Sequence, residues 1–100
     1  MILEHAVFHI KEGEEKNFEA AFPKAIPYIS ASKGFGGLEL RRSVERVATY
    51  HLVVRWETVE DHTVGFRESE KFALWRSVIG PFFASPPEVE HFAEPVATGG

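Results

Sequence analysis

The residues best equipped for chemistry gather in one stretch, VRWETVEDHTVGFRESEKF, residues 54–72. His62 stands four residues after Thr58 and four before Phe66, so on a helix His62 and Phe66 share a face. An imidazole beside an apolar wall, with an ordinary pKa near 6.5, suits a general base at neutral pH. Trp56 closes the preceding strand, and the phenols of Tyr28 and Tyr50 are further polar tips on apolar bodies. His62, Trp56 and Tyr28 are therefore the candidate catalytic residues. The competing reading makes His62 a hydrogen-bonded structural histidine and Trp56 a core residue. The direction in which the imidazole points separates the two.

Other chemistries are excluded or unsupported. The chain has no cysteine, so disulfides, thiolate nucleophiles and Cys-ligated zinc or iron–sulfur centres are ruled out. His5, His9, His51 and His91 are spread over three strands with no short-range ligand pair, so no metal site is expected. No glycine-rich phosphate loop follows a strand. The basic residues are scattered and the net charge is −4, which argues against nucleic acid as a partner. The N-terminal apolar run is interrupted by Glu4, His5 and His9, which fits neither a signal peptide nor a membrane span. A cytoplasmic protein is expected.

These side chains must be positioned by a single domain. With 44% hydrophobic residues in 100, the chain can build a core without staples. Residues 1–95 are read as the domain and 96–100 as a flexible C-terminal tail. Residues 2–11 form a strand whose two faces are Ile2, Glu4, Ala6, Phe8, Ile10 and Leu3, His5, Val7, His9. A helix follows, with Phe18, Phe22, Ile26 and Ile29 as its apolar stripe and Gly34 as its stop. Pro23 and Pro27 within it each remove a donor, predicting a bend or break. The next two strands meet at a short turn near Glu45 and Arg46. One face carries Leu38, Leu40, Tyr50, Leu52, Val54 and Trp56; the other carries Glu39, Arg41, His51, Val53, Arg55 and Glu57, its charges suited to cross-strand or interface pairs. Thr58 and Asp61 form a capping box, Ser69 caps a further segment with Phe72, Trp75 and Ile79 buried, and Gly80-Pro81 ends it. A last short strand lies among prolines.

Strand, helix, strand, strand, helix pair, strand predicts an α+β fold: a ferredoxin-like split βαβ unit, its four-stranded antiparallel sheet carrying the helices on one face. The opposite face bears His5, Val7, His51, Val53 and Arg55, too apolar at its centre for water. A twofold homodimer through that face would cover it.

Three segments, MILEHAVFHIKEGEEKNFEAAF, GFGGLELRRSVERVATYHLVVRWET and EDHTVGFRESEKFALWRSVIGPFF, resemble the antibiotic biosynthesis monooxygenase family, a branch of the dimeric α/β-barrel superfamily. The resemblance implies a dimeric α/β barrel and a pocket between sheet and helices. Its best-known members oxidise aromatic polyketides with dioxygen, without metal or flavin. A cofactor-independent monooxygenase acting on a small aromatic or enolic compound is thus expected. Phe8, Tyr50, Leu52, Phe66, Phe72 and Trp75 would line the pocket, with Trp56 in its wall and Tyr28 and His62 near its mouth. The bend at Pro23–Pro27 would open a cavity of a few hundred Å³, sized for two or three fused rings. Two alternatives stand. One is a non-catalytic dimeric barrel, of stress-responsive type, binding a small apolar ligand. The other is a haem-degrading monooxygenase, whose family Asn and His positions fall here at Ala6 and near Trp75-Arg76, with only Trp56 matching.

Overall fold

The computed structural model describes residues 1–100. Its elements run β1 (Ile2–His9), α1 (Glu15–Ser30), β2 (Phe35–Arg42), β3 (Thr49–Trp56), a π-helical turn (Asp61–Phe66), α2 (Glu70–Ile79), a 3-10 turn (Gly80–Phe82) and β4 (Glu88–Phe92). The strands form one antiparallel sheet in the order β2-β3-β1-β4. This is the ferredoxin-like α+β arrangement. No helix is long and apolar enough to cross a membrane.

Period-two alternation decides which side is core. Ala6 and Phe8 of β1 and Tyr50, Leu52, Val54 and Trp56 of β3 are buried beneath the helices. Their neighbours His5, Val7, His51 and Val53 on the other face are only partly covered. From above, α1 inserts Phe18, Phe22, Ala25 and Ile29, while α2 inserts Trp75 and Ile79. Phe18 packs edge-on against both Phe8 and Tyr50, and Phe22 against Trp75. Ile26, expected in the α1 stripe, is only partly buried, and Ala25 takes the central position.

Three local expectations are revised. First, α1 runs unbroken through Pro23 and Pro27. Both prolines are on the exposed side, where water can solvate the carbonyls they leave without donors. Second, α1 ends at Ser30, before Gly34. Gly34 instead serves a close approach: its φ is +81°, and a Cβ there would meet the Asp61 carboxyl at 2.1 Å. Third, the link from β2 to β3 is a six-residue loop, residues 43–48. It closes on buried Ala48, in the left-handed region at φ 53°, whose carbonyl accepts from Ile10 N–H at 2.8 Å.

Both caps form as the sequence dictates. Thr58 Oγ1 accepts from Asp61 N–H at 3.1 Å, and Ser69 Oγ from Phe72 N–H at 3.4 Å. Between them the chain makes the π-helical turn, a wide turn often found at functional sites. It turns His62 and Phe66 into the core, both at most 4% exposed.

Candidate functional site

A cavity of about 190 Å³ lies under α2 and the π-helical turn, toward the β1–β4 side of the sheet. Its floor is Glu4, Ala6 and Phe8 of β1, Leu52 of β3 and Val89 of β4. Its roof is Ile29, His62, Phe66, Phe72 and Trp75, with Phe83 and Pro87 at one side and Arg67 and Arg76 at the rim. The walls are mainly apolar. Chemistry must come from the few polar groups among them.

The floor holds an acid. Glu4 is 4% exposed, with Oε1 accepting from Trp56 Nε1–H at 2.9 Å. His62 Nε2 lies 3.4 Å from the same oxygen, and His62 Nδ1 is 2.8 Å from Nε2 of His91 on β4. Glu4 Oε2 makes no hydrogen bond to the protein, and the Glu4 side chain is part of the cavity lining. The indole of Trp56 stacks on the His62 imidazole, centroids 5.5 Å apart and planes 20° from parallel. So Trp56 fixes both the carboxylate, through its N–H, and the imidazole, through its face.

Burial tunes the pair in opposite directions. Desolvation raises the Glu4 carboxyl above its ordinary range, opposed by the Trp56 hydrogen bond and the Arg67 charge. Desolvation also drives His62 down to about 4, helped by His91 and Arg67. His62 is therefore a neutral imidazole at neutral pH, and its contact with Glu4 is a hydrogen bond rather than an ion pair. With Nε2–H donated to Glu4, Nδ1 accepts from His91 Nε2–H. The result is a chain of exchangeable protons, Glu4–His62–His91, running from cavity floor to partly exposed β4. No three His, Asp or Glu side chains converge to hold a metal ion.

The sequence candidates divide. Phe8, Leu52, Phe66, Phe72, Trp75 and His62 line this one cavity. Trp56 is fully buried behind it, reaching it only through Glu4 and His62. Tyr50 faces the helices but toward α1 and β2, where its hydroxyl donates to Glu19, and Arg42 lies 3.6 Å from Glu19. Burial and Glu19 push the Tyr50 phenol up to about 12, so it stays protonated. Tyr28 packs against the core from α1 without bordering the cavity. Nor does Pro23 open it: Pro23 borders the Tyr50 hollow, and α1 gives the cavity only Ile29. The volume is also smaller than the few hundred Å³ expected from the proline bend. Sequence reasoning missed Glu4, His91 and both arginines. A lone carboxylate inside an apolar alternation was the available signal for Glu4.

The model of the antibiotic biosynthesis monooxygenase family matches residues 1–78, most of the chain and all of this site except Phe83, Pro87 and the β4 residues. The chain belongs to the antibiotic biosynthesis monooxygenase family. It is 45% identical over 94 residues to the uncharacterized protein YczJ of Bacillus subtilis, covering 94% of this chain and 99% of that one. A Bordetella bronchiseptica crystal structure, provisionally named an antibiotic biosynthesis monooxygenase, superposes with a TM-score of 0.91 at 41% identity, over 95% of this chain and 97% of that one. SnoaB, a cofactor-independent oxygenase of Streptomyces nogalater, shares the fold at a TM-score of 0.76 and 17% identity, covering 96% and 94% of the two chains.

Proposed function

We propose that this family member is a cofactor-independent monooxygenase, active as a homodimer, that oxidises a small aromatic or enolic compound with dioxygen. The observation that carries the reading is Glu4: a buried carboxylate in the lining of an apolar cavity, with one oxygen held by Trp56 and His62 and the other without a protein hydrogen bond. Oxidation without a cofactor needs the substrate itself to become electron-rich. Glu4 takes the acidic proton, and its raised pKa makes it a stronger base than an ordinary carboxylate. The resulting anion donates one electron to dioxygen. The radical pair combines at carbon to a peroxide, and loss of water from it leaves a carbonyl. One oxygen atom ends in the product and one in water, and the four electrons come from the substrate and its two lost hydrogens.

His62 and Trp56 position Glu4, and the peroxide anion takes the proton back from Glu4 before water leaves, so each turnover restores the base. Phe8, Leu52, Phe66, Phe72 and Trp75 hold the ring and exclude water, which strengthens every polar contact inside. The face bearing His5, Val7, His51, Val53 and Arg55 joins the two subunits in this reading, away from both cavities. The test is oxygen uptake with a panel of one- and two-ring hydroquinones. Wild type should consume one dioxygen per product, and Glu4→Gln should lose roughly 100-fold or more in turnover, as loss of a general base does. Turnover unaltered by Glu4→Gln, or no uptake with any member, would reject the proposal.

A further inference from the structure

The cavity rim carries a feature that proton abstraction does not use. Arg67 and Arg76 both border the cavity and both are exposed. Their guanidinium carbons lie 5.6 and 5.9 Å from the centroid of one ring, Phe72. Neither takes part in any ion pair of the protein, although the chain carries 15 acidic residues against 11 basic ones. Nor does either guanidinium donate a hydrogen bond to a protein group. Arg41 and Arg42, by contrast, each hold a glutamate. An exposed arginine without a partner is ordinary on a surface. Two beside the same ring, at the rim of the cavity, form a planar donor set with unfilled positions.

We infer that the ligand of this cavity is a small aromatic carboxylate, its ring among Phe8, Phe66 and Trp75 and its carboxylate held at the rim by Arg67 and Arg76. Three observations converge on it. Guanidinium groups match carboxylate oxygens in a fork that also fixes the ring's orientation. The volume limits the ring system: about 150 Å³ of apolar cavity takes a benzene ring, and this one measures about 190 Å³. One ring with substituents or two fused rings fit, and three do not. The anionic group must also stay outside, because the floor already holds Glu4, and a second carboxylate beside it would repel it. The exposed rim satisfies this, since charge there remains partly solvated. Phe72 lies within cation–π reach of both guanidiniums, which tethers them to one residue of the cavity lining.

The inference rests on reading this cavity as the reaction site, but its test uses binding alone. Quenching of tryptophan fluorescence reports occupancy, since Trp75 lines the cavity and Trp56 lies behind it. The probes are 2-naphthoate and its neutral carboxamide, added to the full-length protein. Naphthoate should bind roughly tenfold or more tightly than the carboxamide, as a charge-assisted contact gives, and the preference should fade with added salt. In Arg67→Gln/Arg76→Gln the preference should vanish while carboxamide affinity and the circular dichroism spectrum hold. Equal affinities in wild type, no binding of either probe, or a preference that survives the double substitution would overturn the inference. Preferential naphthoate binding without oxygen uptake on any hydroquinone would reject the oxygenase reading and leave this one standing. Turnover of neutral hydroquinones with no preference for naphthoate would do the reverse.

Discussion

The molecule contains the same small contact twice, once on each face of the sheet. His62 and His91 approach with ring nitrogens 2.8 Å apart beneath the helices, and His5 and His51 do so at 2.8 Å on the opposite face. Ring centroids are 5.0 Å apart in both pairs. What surrounds them differs. His62 is buried against Trp56 and Glu4, whereas His5 and His51 are partly open, and the ring stacked on His5 from β4 is Phe92. His62 is driven down to about 4; His51 is also lowered, by desolvation and then by His5, but far less water has been removed from it. A histidine pair becomes a proton path only where burial and a carboxylate accompany it. On the open face the same pair is a partly exposed surface feature.

The hardest way to break the buried pair is to remove what holds it. Trp56→Ala deletes a fully buried indole, the hydrogen bond to Glu4 and the stack on His62 together. Chemical denaturation should show about 3–5 kcal/mol lost. Phe92→Ala, which removes the ring stacked on His5, should cost far less, since Phe92 is 40% exposed. Comparable losses would mean that the two pairs are held alike.

Function separates them next. His62→Ala should lower turnover roughly 100-fold, as misplacing the base it holds does, while His51→Ala should leave it within about twofold. Light scattering on wild type should give a dimer mass, since an obligate interface through the His5–His51 face would bury about 1,500 Å² or more in total. A monomer at micromolar concentration removes the assigned role of that face. An equal effect of the two substitutions removes the contrast itself.

Much of this was legible in the sequence, and the remainder fails for identifiable reasons. Strand parity assigned both faces correctly, because a side chain's face depends only on its neighbours two residues away. Thr58 and Ser69 marked helix starts for an equally local reason, a hydroxyl satisfying a nearby backbone donor. Tyr50 shows the limit. Parity placed it toward the helices, but not at which side of the sheet, and it turned toward Glu19 rather than the cavity. The Glu4–Trp56 and His62–His91 contacts join residues 52 and 29 positions apart, and no local pattern announces either. The prolines of α1 misled because their cost depends on whether the orphaned carbonyl faces water, which only the packed helix reveals.

The subtlest difference between the two pairs is their response to acid. An unfolded chain protonates His62 near 6.5, but the folded one resists until about 4. The folded pKa is depressed, so this stability is fully present above about 6.5 and is lost as the pH falls from there through 4. The window bounds the loss at about 3 kcal/mol, and relaxation of the site on protonation will reduce it. Glu4 acts with the opposite sign. Its raised carboxyl adds stability at low pH, which is lost as the pH rises through its folded value. Where the two windows overlap the contributions oppose one another, so Glu4 offsets part of the acid limb that His62 produces. Unfolding measured from pH 4 to 7 should therefore show an acid limb that flattens in His62→Ala and persists in His51→Ala. Imidazole titration by NMR should place the His62 midpoint near 4, below that of His51. A His62 midpoint near 6.5 would show that water reaches the ring freely, and the buried proton chain from Glu4 would then have no physical basis.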